Sequence, residues 1–131
     1  MSNAGTEALL RQMREQRMAW VELVPVQGPV PAKRVRIIRP NDVEISRHLV
    51  RADTRLAVDY EAVVRFTVDW SGFSAADLLG PSIGASDLLA YDASLWTELV
   101  ATRSDWLSLV SKALLDATVA YIQKQEVDRK N

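Results

Sequence analysis

His48 is the only histidine in the chain, and there is no cysteine. A thiolate nucleophile, a structural disulfide and a cysteine-based zinc site are therefore excluded. A single imidazole can act as a general base. Here its neighbours are Ser46 and Arg47 in a charged stretch, with no glycine-rich elbow and no acid at a telling spacing. His48 reads as a surface or structural histidine. The carboxylates occur singly. Asp53, Asp59 and Glu61 lie close in sequence, and an acid–base pair among them stays open, although a solvated loop is the simpler reading. Asp87 and Asp92 are the acids of residues 81–93, fewer than a calcium loop needs. Gly80-Pro81-Ser82-Ile83-Gly84 lacks the lysine and the preceding strand of a phosphate-binding loop. The expectation is a protein without catalytic residues, metal or cofactor, which acts by binding another protein.

Two groups of side chains are candidates for that binding. Lys33, Arg34, Arg36 and Arg39 form a basic segment whose arginines can reach phosphates from one face of a strand. The same charges also suit a solvated strand face or a protected sheet edge. The second group lies in the last third of the chain. Trp96, Leu99, Trp106 and Val110 fall early in two consecutive helices, and tryptophan serves both cores and interface hot spots. The net charge of −1 argues against general nucleic-acid binding. The charge is uneven, however. Residues 33–55 carry seven basic side chains against three acidic ones, and residues 56–131 carry six against eleven. The two parts can attract one another within one fold or between copies, so self-association is a further expectation.

The elements that must position these residues follow from periodicity and capping. Thr6 suits the N-cap of a helix over 6–18, with Leu9, Leu10 and Met13 as a stripe so narrow that the helix should pack peripherally or fray. Residues 20–24 and 33–39 read as strands of a hairpin joined by a long loop containing Pro25, Gly28, Pro29 and Pro31. Asn41 can cap a short element reaching Leu49. Residues 60–70 are ambiguous. Val64, Phe66, Val68 and Trp70 alternate as in a strand, while Tyr60, Val63, Val64 and Val68 keep helical spacing. Ser74 caps a turn of helix ended by Gly80 and Pro81. Asp92 or Ser94 starts the next helix and Ser104 caps the last, whose Trp106, Val110, Ala113, Leu114, Ala117 and Tyr121 share one stripe. Residues 1–5 and 126–131 read as flexible ends of a single domain.

At 131 residues the chain is long enough to bury roughly two-thirds of its unfolded surface. Its 48% hydrophobic content is that of a folded protein. The N-terminal residues have neither the basic start nor the apolar core of a signal peptide. No run approaches the roughly 18 apolar residues of a membrane span. The expected fold is α+β and mainly helical: an N-terminal helix and a β-hairpin, then a C-terminal helical bundle with a helical hairpin.

One further pattern stands out. Val68-Asp69-Trp70-Ser71-Gly72-Phe73 is followed by Ala76-Asp77-Leu78-Leu79. Leu89-Ala90-Tyr91-Asp92-Ala93-Ser94-Leu95-Trp96 and Leu99 come next, and Asp105-Trp106-Leu107 leads into the last helix. Over residues 33–125 this resembles the small tail assembly chaperones and related morphogenesis proteins of tailed bacteriophages and prophages. Those proteins carry a hydrophobic stretch ending in Trp-x-Gly, an aromatic residue opening a helix, and a final amphipathic helix. Arg34 to Pro40 resembles their short strand before an Arg-Pro. The proline-rich loop at 25–32 departs from the pattern. The resemblance implies a helix over 60–70 and a non-enzymatic role in the cytoplasm of a bacterial host. It implies binding to a tail protein of the tape-measure kind, with no membrane. A structural minor tail or tail-completion protein is the alternative, and a nucleic-acid-binding regulator is a second alternative.

Overall fold

Arg17 decides where the first helix ends. In the computed structural model, which describes residues 3–130, α1 runs over Asn3–Glu15. The Arg17 carbonyl then accepts the Arg39 N–H at 2.7 Å. That bond opens an antiparallel ladder between β1 (Met18–Val24) and β2 (Lys33–Ile38). The helix expected at 6–18 thus loses its last residues to the sheet. It also begins earlier than Thr6, at Asn3, and runs through Gly5. Within the connection, Gln27 and Val30 exchange both backbone hydrogen bonds, at 3.1 and 3.0 Å. Gly28 has φ +58°, and Pro29 cannot adopt positive φ. Of the two favoured hairpin turns only type II′ fits.

Pro40 closes the strand, and Asn41 starts α2 (Asp42–Glu44) through a reciprocal capping box with Glu44. The chain continues as a π-helical turn over Ile45–Leu49, which buries Ile45 and Leu49. Asp59 caps α3 (Tyr60–Arg65) by accepting the Ala62 N–H at 2.9 Å. The chain then becomes β3 (Thr67–Ser71), paired antiparallel with β2 in the order β1-β2-β3. The expectation of helix across 60–70 is corrected here. Tyr60 to Arg65 keeps the helical spacing, whereas from Thr67 the alternating residues find a free edge on β2 and take the strand.

Trp70-Ser71-Gly72-Phe73 turns the chain at the end of β3. Gly72 has φ +88°, and a Cβ there would lie 2.0 Å from the Ala32 carbonyl oxygen. Only glycine lets the two backbones approach so closely. The turn sends Trp70 and Phe73 into the core, where their rings stack at 4.7 Å. Ser74 and Asp77 form the capping box of α4 (Ala75–Leu79). Asp92 caps α5 (Ala93–Ala101). The long helix α6 (Ser104–Lys130) follows. Ser104 is its first helical residue rather than its cap. The polar end expected from 126 onward is helical through Lys130, and Asn3–Gly5 is helical in α1. Met1, Ser2 and Asn131 lie outside the described residues. The architecture is α+β, with α5 and α6 packed as the helical hairpin.

One face of the sheet meets the helices. Val35 and Ile37 point inward onto Val63, Phe66, Phe73, Val100 and Leu114. Phe73 also meets Trp96 and Trp106 edge-on, at 6.5 and 5.7 Å. Tyr91 stands perpendicular to Trp70 and donates its hydroxyl to the Thr67 carbonyl at 3.1 Å. Burial, then the charges of Asp69 and Asp92, push this phenol up to about 12.

Candidate functional site

The structure withdraws one candidate surface. Trp96, Leu99, Trp106 and Val110 are all buried, so the tryptophan pair fills the core instead of presenting an interface. The physical reason is the Gly72 turn, which delivers Phe73 between the two indoles. Arg103 lies over the Trp106 ring at 3.7 Å and holds Asp105 through two hydrogen bonds of 3.1 and 2.9 Å.

The basic segment does not form one patch either. Lys33 turns toward α4 and pairs with Asp77 at 3.1 Å. Burial opposes the Asp77 charge. The Ser74 N–H, Lys33 and the Ser74 hydroxyl outweigh it, holding the carboxyl below its ordinary value. Arg34 and Arg36 project from the outer sheet face, where both guanidiniums lie over the exposed ring of Trp20, at 4.9 and 5.8 Å. Arg39 leaves in a third direction and lies over Tyr121 of α6 at 3.6 Å.

That last contact belongs to a site for which the sequence held only half a signal. All the residues of α1 are exposed, including its apolar stripe, with Leu9 at 63%, Leu10 at 54% and Met13 at 63%. A 13-residue helix is near the limit at which a helix stands alone in water, roughly 12–15 residues. Beside it runs a groove of about 740 Å3. Leu10, Met13 and Arg14 form one wall, and Lys124, Gln125 and Asp128 of α6 form the other.

Arg17, Arg39, Asn41 and Tyr121 make the floor, and a continuous network fixes them. Arg17 donates to the Arg39 carbonyl at 2.8 Å and to Glu44 at 3.3 Å. Arg39 donates to the Pro40 carbonyl at 2.8 Å. Tyr121 donates to Asp42 at 2.7 Å, and Gln125 donates to the Tyr121 hydroxyl. Burial, reinforced by the nearby Arg17 charge, draws Arg39 below its ordinary pKa against the pull of Tyr121 and Asp42. The Asp42 hydrogen bond, then burial, raises the Tyr121 phenol. The narrow stripe on α1 marked this wall in the sequence. The floor joins residues up to about a hundred positions apart, and local spacing carries no trace of it.

His48, Asp59 and Asp53 have structural partners. His48 packs edge-on against Phe66, with ring centres 6.0 Å apart. Asp59 is the α3 cap and pairs with Arg51 at 3.4 Å, while Asp53 accepts the Arg55 N–H at 3.1 Å. Among the described residues no three His, Asp or Glu side chains converge as a metal site requires. No helix among them is long and apolar enough to cross a membrane. No family model matches the chain, and neither a curated protein nor a solved structure matches it.

Proposed function

We propose that this chain is a non-enzymatic assembly factor of the tailed-phage kind, working in the cytoplasm of a bacterial host. It holds an apolar helical segment of a tail protein, of the tape-measure type, until the tail tube covers it. The observation that carries this reading is α1, an amphipathic helix whose apolar stripe stays uncovered beside a groove of about 740 Å3. Helix-in-groove recognition needs an apolar track with polar rims. Leu10 and Met13 supply the track, Leu9 extends the exposed stripe beyond the groove, and Arg14 and Lys124 supply cationic rims that suit acidic residues flanking the partner's stripe. Methionine adds a surface that adapts to different side chains. The basic strand lends no support to the nucleic-acid alternative, because its four cations point in three directions.

The test is co-expression with a long helical tape-measure protein of a tailed phage. The expected result is a soluble complex that is absent from mature particles by mass spectrometry. Leu10→Glu combined with Met13→Glu should abolish the complex while leaving the circular dichroism of the chain unchanged, since neither side chain is buried. A complex that survives both substitutions would refute the assignment of the groove.

A further inference from the structure

The two edges of the sheet are treated differently, and the hydrogen bonds show how. Arg17 and Arg39 share the register that pairs Met18 with Ile38, and the Arg39 N–H donates to the Arg17 carbonyl. Hydrogen-bonded pairs alternate along an antiparallel ladder. Arg17, Ala19 and Val21 therefore turn their backbone groups toward β2, and Met18, Trp20 and Glu22 turn theirs outward. The same alternation directs Arg34, Arg36 and Ile38 toward β3, in accord with the 2.8 Å bond from the Ile38 N–H to the Phe66 carbonyl.

At the β3 edge two outward groups, the Trp70 N–H and the Thr67 carbonyl, are covered. Asp69 takes the Trp70 N–H at 2.8 Å. Tyr91 donates to the Thr67 carbonyl at 3.1 Å. At the β1 edge, no described residue bonds the outward N–H or C=O of Met18, Trp20 or Glu22. Over its seven residues β1 has neither proline nor lysine, and of the features that blunt an edge strand it carries the charge of Glu22 and a bulge between Glu22 and Val24, at its C-terminal end. Ala19, Trp20 and Glu22 are all exposed.

The geometry points to a second copy of this chain as the occupant of that edge, forming one continuous six-stranded sheet. β1 is complementary to itself in antiparallel register about Val21. Trp20 then stands opposite the second copy's Glu22 in a hydrogen-bonded pair, and the reciprocal pair repeats it. Each carboxylate meets an indole that already carries the guanidiniums of Arg34 and Arg36. Val21 faces its own counterpart and Ala19 faces Leu23, so apolar side chains continue the inner face. A closed two-fold pairing of this kind is isologous. It uses none of the residues that line the α1 groove.

The test is sedimentation of the full chain from micromolar to millimolar concentration, with backbone amide exchange read at both ends. The expected result is twice the 14.6 kDa chain mass at high concentration, with concentration-dependent protection of the Trp20 and Glu22 amides. Glu22→Pro removes an outward donor that the β1–β2 ladder does not use. It should weaken the dimer by roughly tenfold or more, whereas Glu22→Ala, which keeps the donor, should cost less. A chain monomeric throughout overturns the proposal, as does a dimer whose Trp20 and Glu22 amides exchange freely. Protection that appears only when a tail protein is added would assign the edge to that partner instead. If Glu22→Pro does not fold, amide exchange in the unaltered chain still decides.

Discussion

Replacing Gly72 by alanine should be among the most damaging single-methyl additions in this protein. Two costs add. Holding an L-residue at φ +88° costs about 1–2 kcal/mol. The added Cβ would also sit 2.0 Å from the Ala32 carbonyl oxygen and 2.9 Å from its carbon. Those are backbone atoms directly before β2, so relief requires prising apart the end of the β2–β3 ladder, where Arg34 pairs with Ser71. Overpacking of this kind costs roughly 1–3 kcal/mol more. The sum, about 2–5 kcal/mol, is a large share of the 5–15 kcal/mol typical of a domain. Gly28 supplies the control. Its φ is +58° with nothing within 4 Å of a Cβ, so Gly28→Ala should cost only the conformational part, about 1–2 kcal/mol. Urea unfolding followed by far-ultraviolet circular dichroism measures both variants and avoids local effects on Trp70. With a slope of about 2 kcal/mol per molar, the midpoint should fall by about 1–2.5 M for Gly72→Ala and by under about 1 M for Gly28→Ala. Equal shifts would refute the claim that the Ala32 contact governs this turn.

Two further outcomes follow from buried polar groups. Asp77 has a depressed pKa, so its contribution to stability is complete above the ordinary value of 3.8 and is lost as pH falls through the lower folded value. The stability gap between the parent chain and Asp77→Asn should be widest near neutrality and narrow below about pH 3.8, and a gap independent of pH would contradict the Lys33–Ser74–Asp77 network. Trp70→Phe and Trp96→Phe remove the same atoms, but the Trp70 indole donates to Leu89 while the buried Trp96 Nε1 has no partner among the described residues. Trp70→Phe should therefore be the more costly in chemical denaturation by about 1 kcal/mol, and the reverse order would show that shape rather than hydrogen bonding decides.

Asn41, Ser74, Asp59 and Asp92 show what is legible in such a sequence. Asn41, Asp59 and Asp92 each accept a backbone N–H three residues on, and the Ser74 N–H is taken by Asp77, so residue type and local spacing are enough to recognise Asn41, Ser74 and Asp92 as caps. The hairpin is legible for a similar reason, since prolines and glycine fix where pairing must stop. Residues 60–71 are not, because their division depends on an edge of β2 left free by β1, and no local period encodes that. Trp96 and Trp106 lie on apolar helical stripes that their spacing makes plain. Whether those stripes face solvent or core is decided by Phe73, which arrives through the Gly72 turn from more than twenty residues earlier.

The burial of those indoles also changes where recognition can occur. Trp70, Trp96 and Trp106 are consumed by the core, and a buried aromatic cannot anchor a partner without partial unfolding. Two of the surfaces that remain outside differ in kind. The aliphatic stripe of α1 is non-directional, and its affinity grows with apolar area at about 25 cal/mol per Å2, which suits a partner whose exact sequence matters little. The β1 edge with Trp20 is directional, since backbone hydrogen bonds fix register and polarity, which suits a partner of fixed geometry. A protein that must hold a long, variable apolar chain and also assemble in a defined state needs one surface of each kind. Under the proposed function, the helix before Arg17 and the strand after it would be those two surfaces.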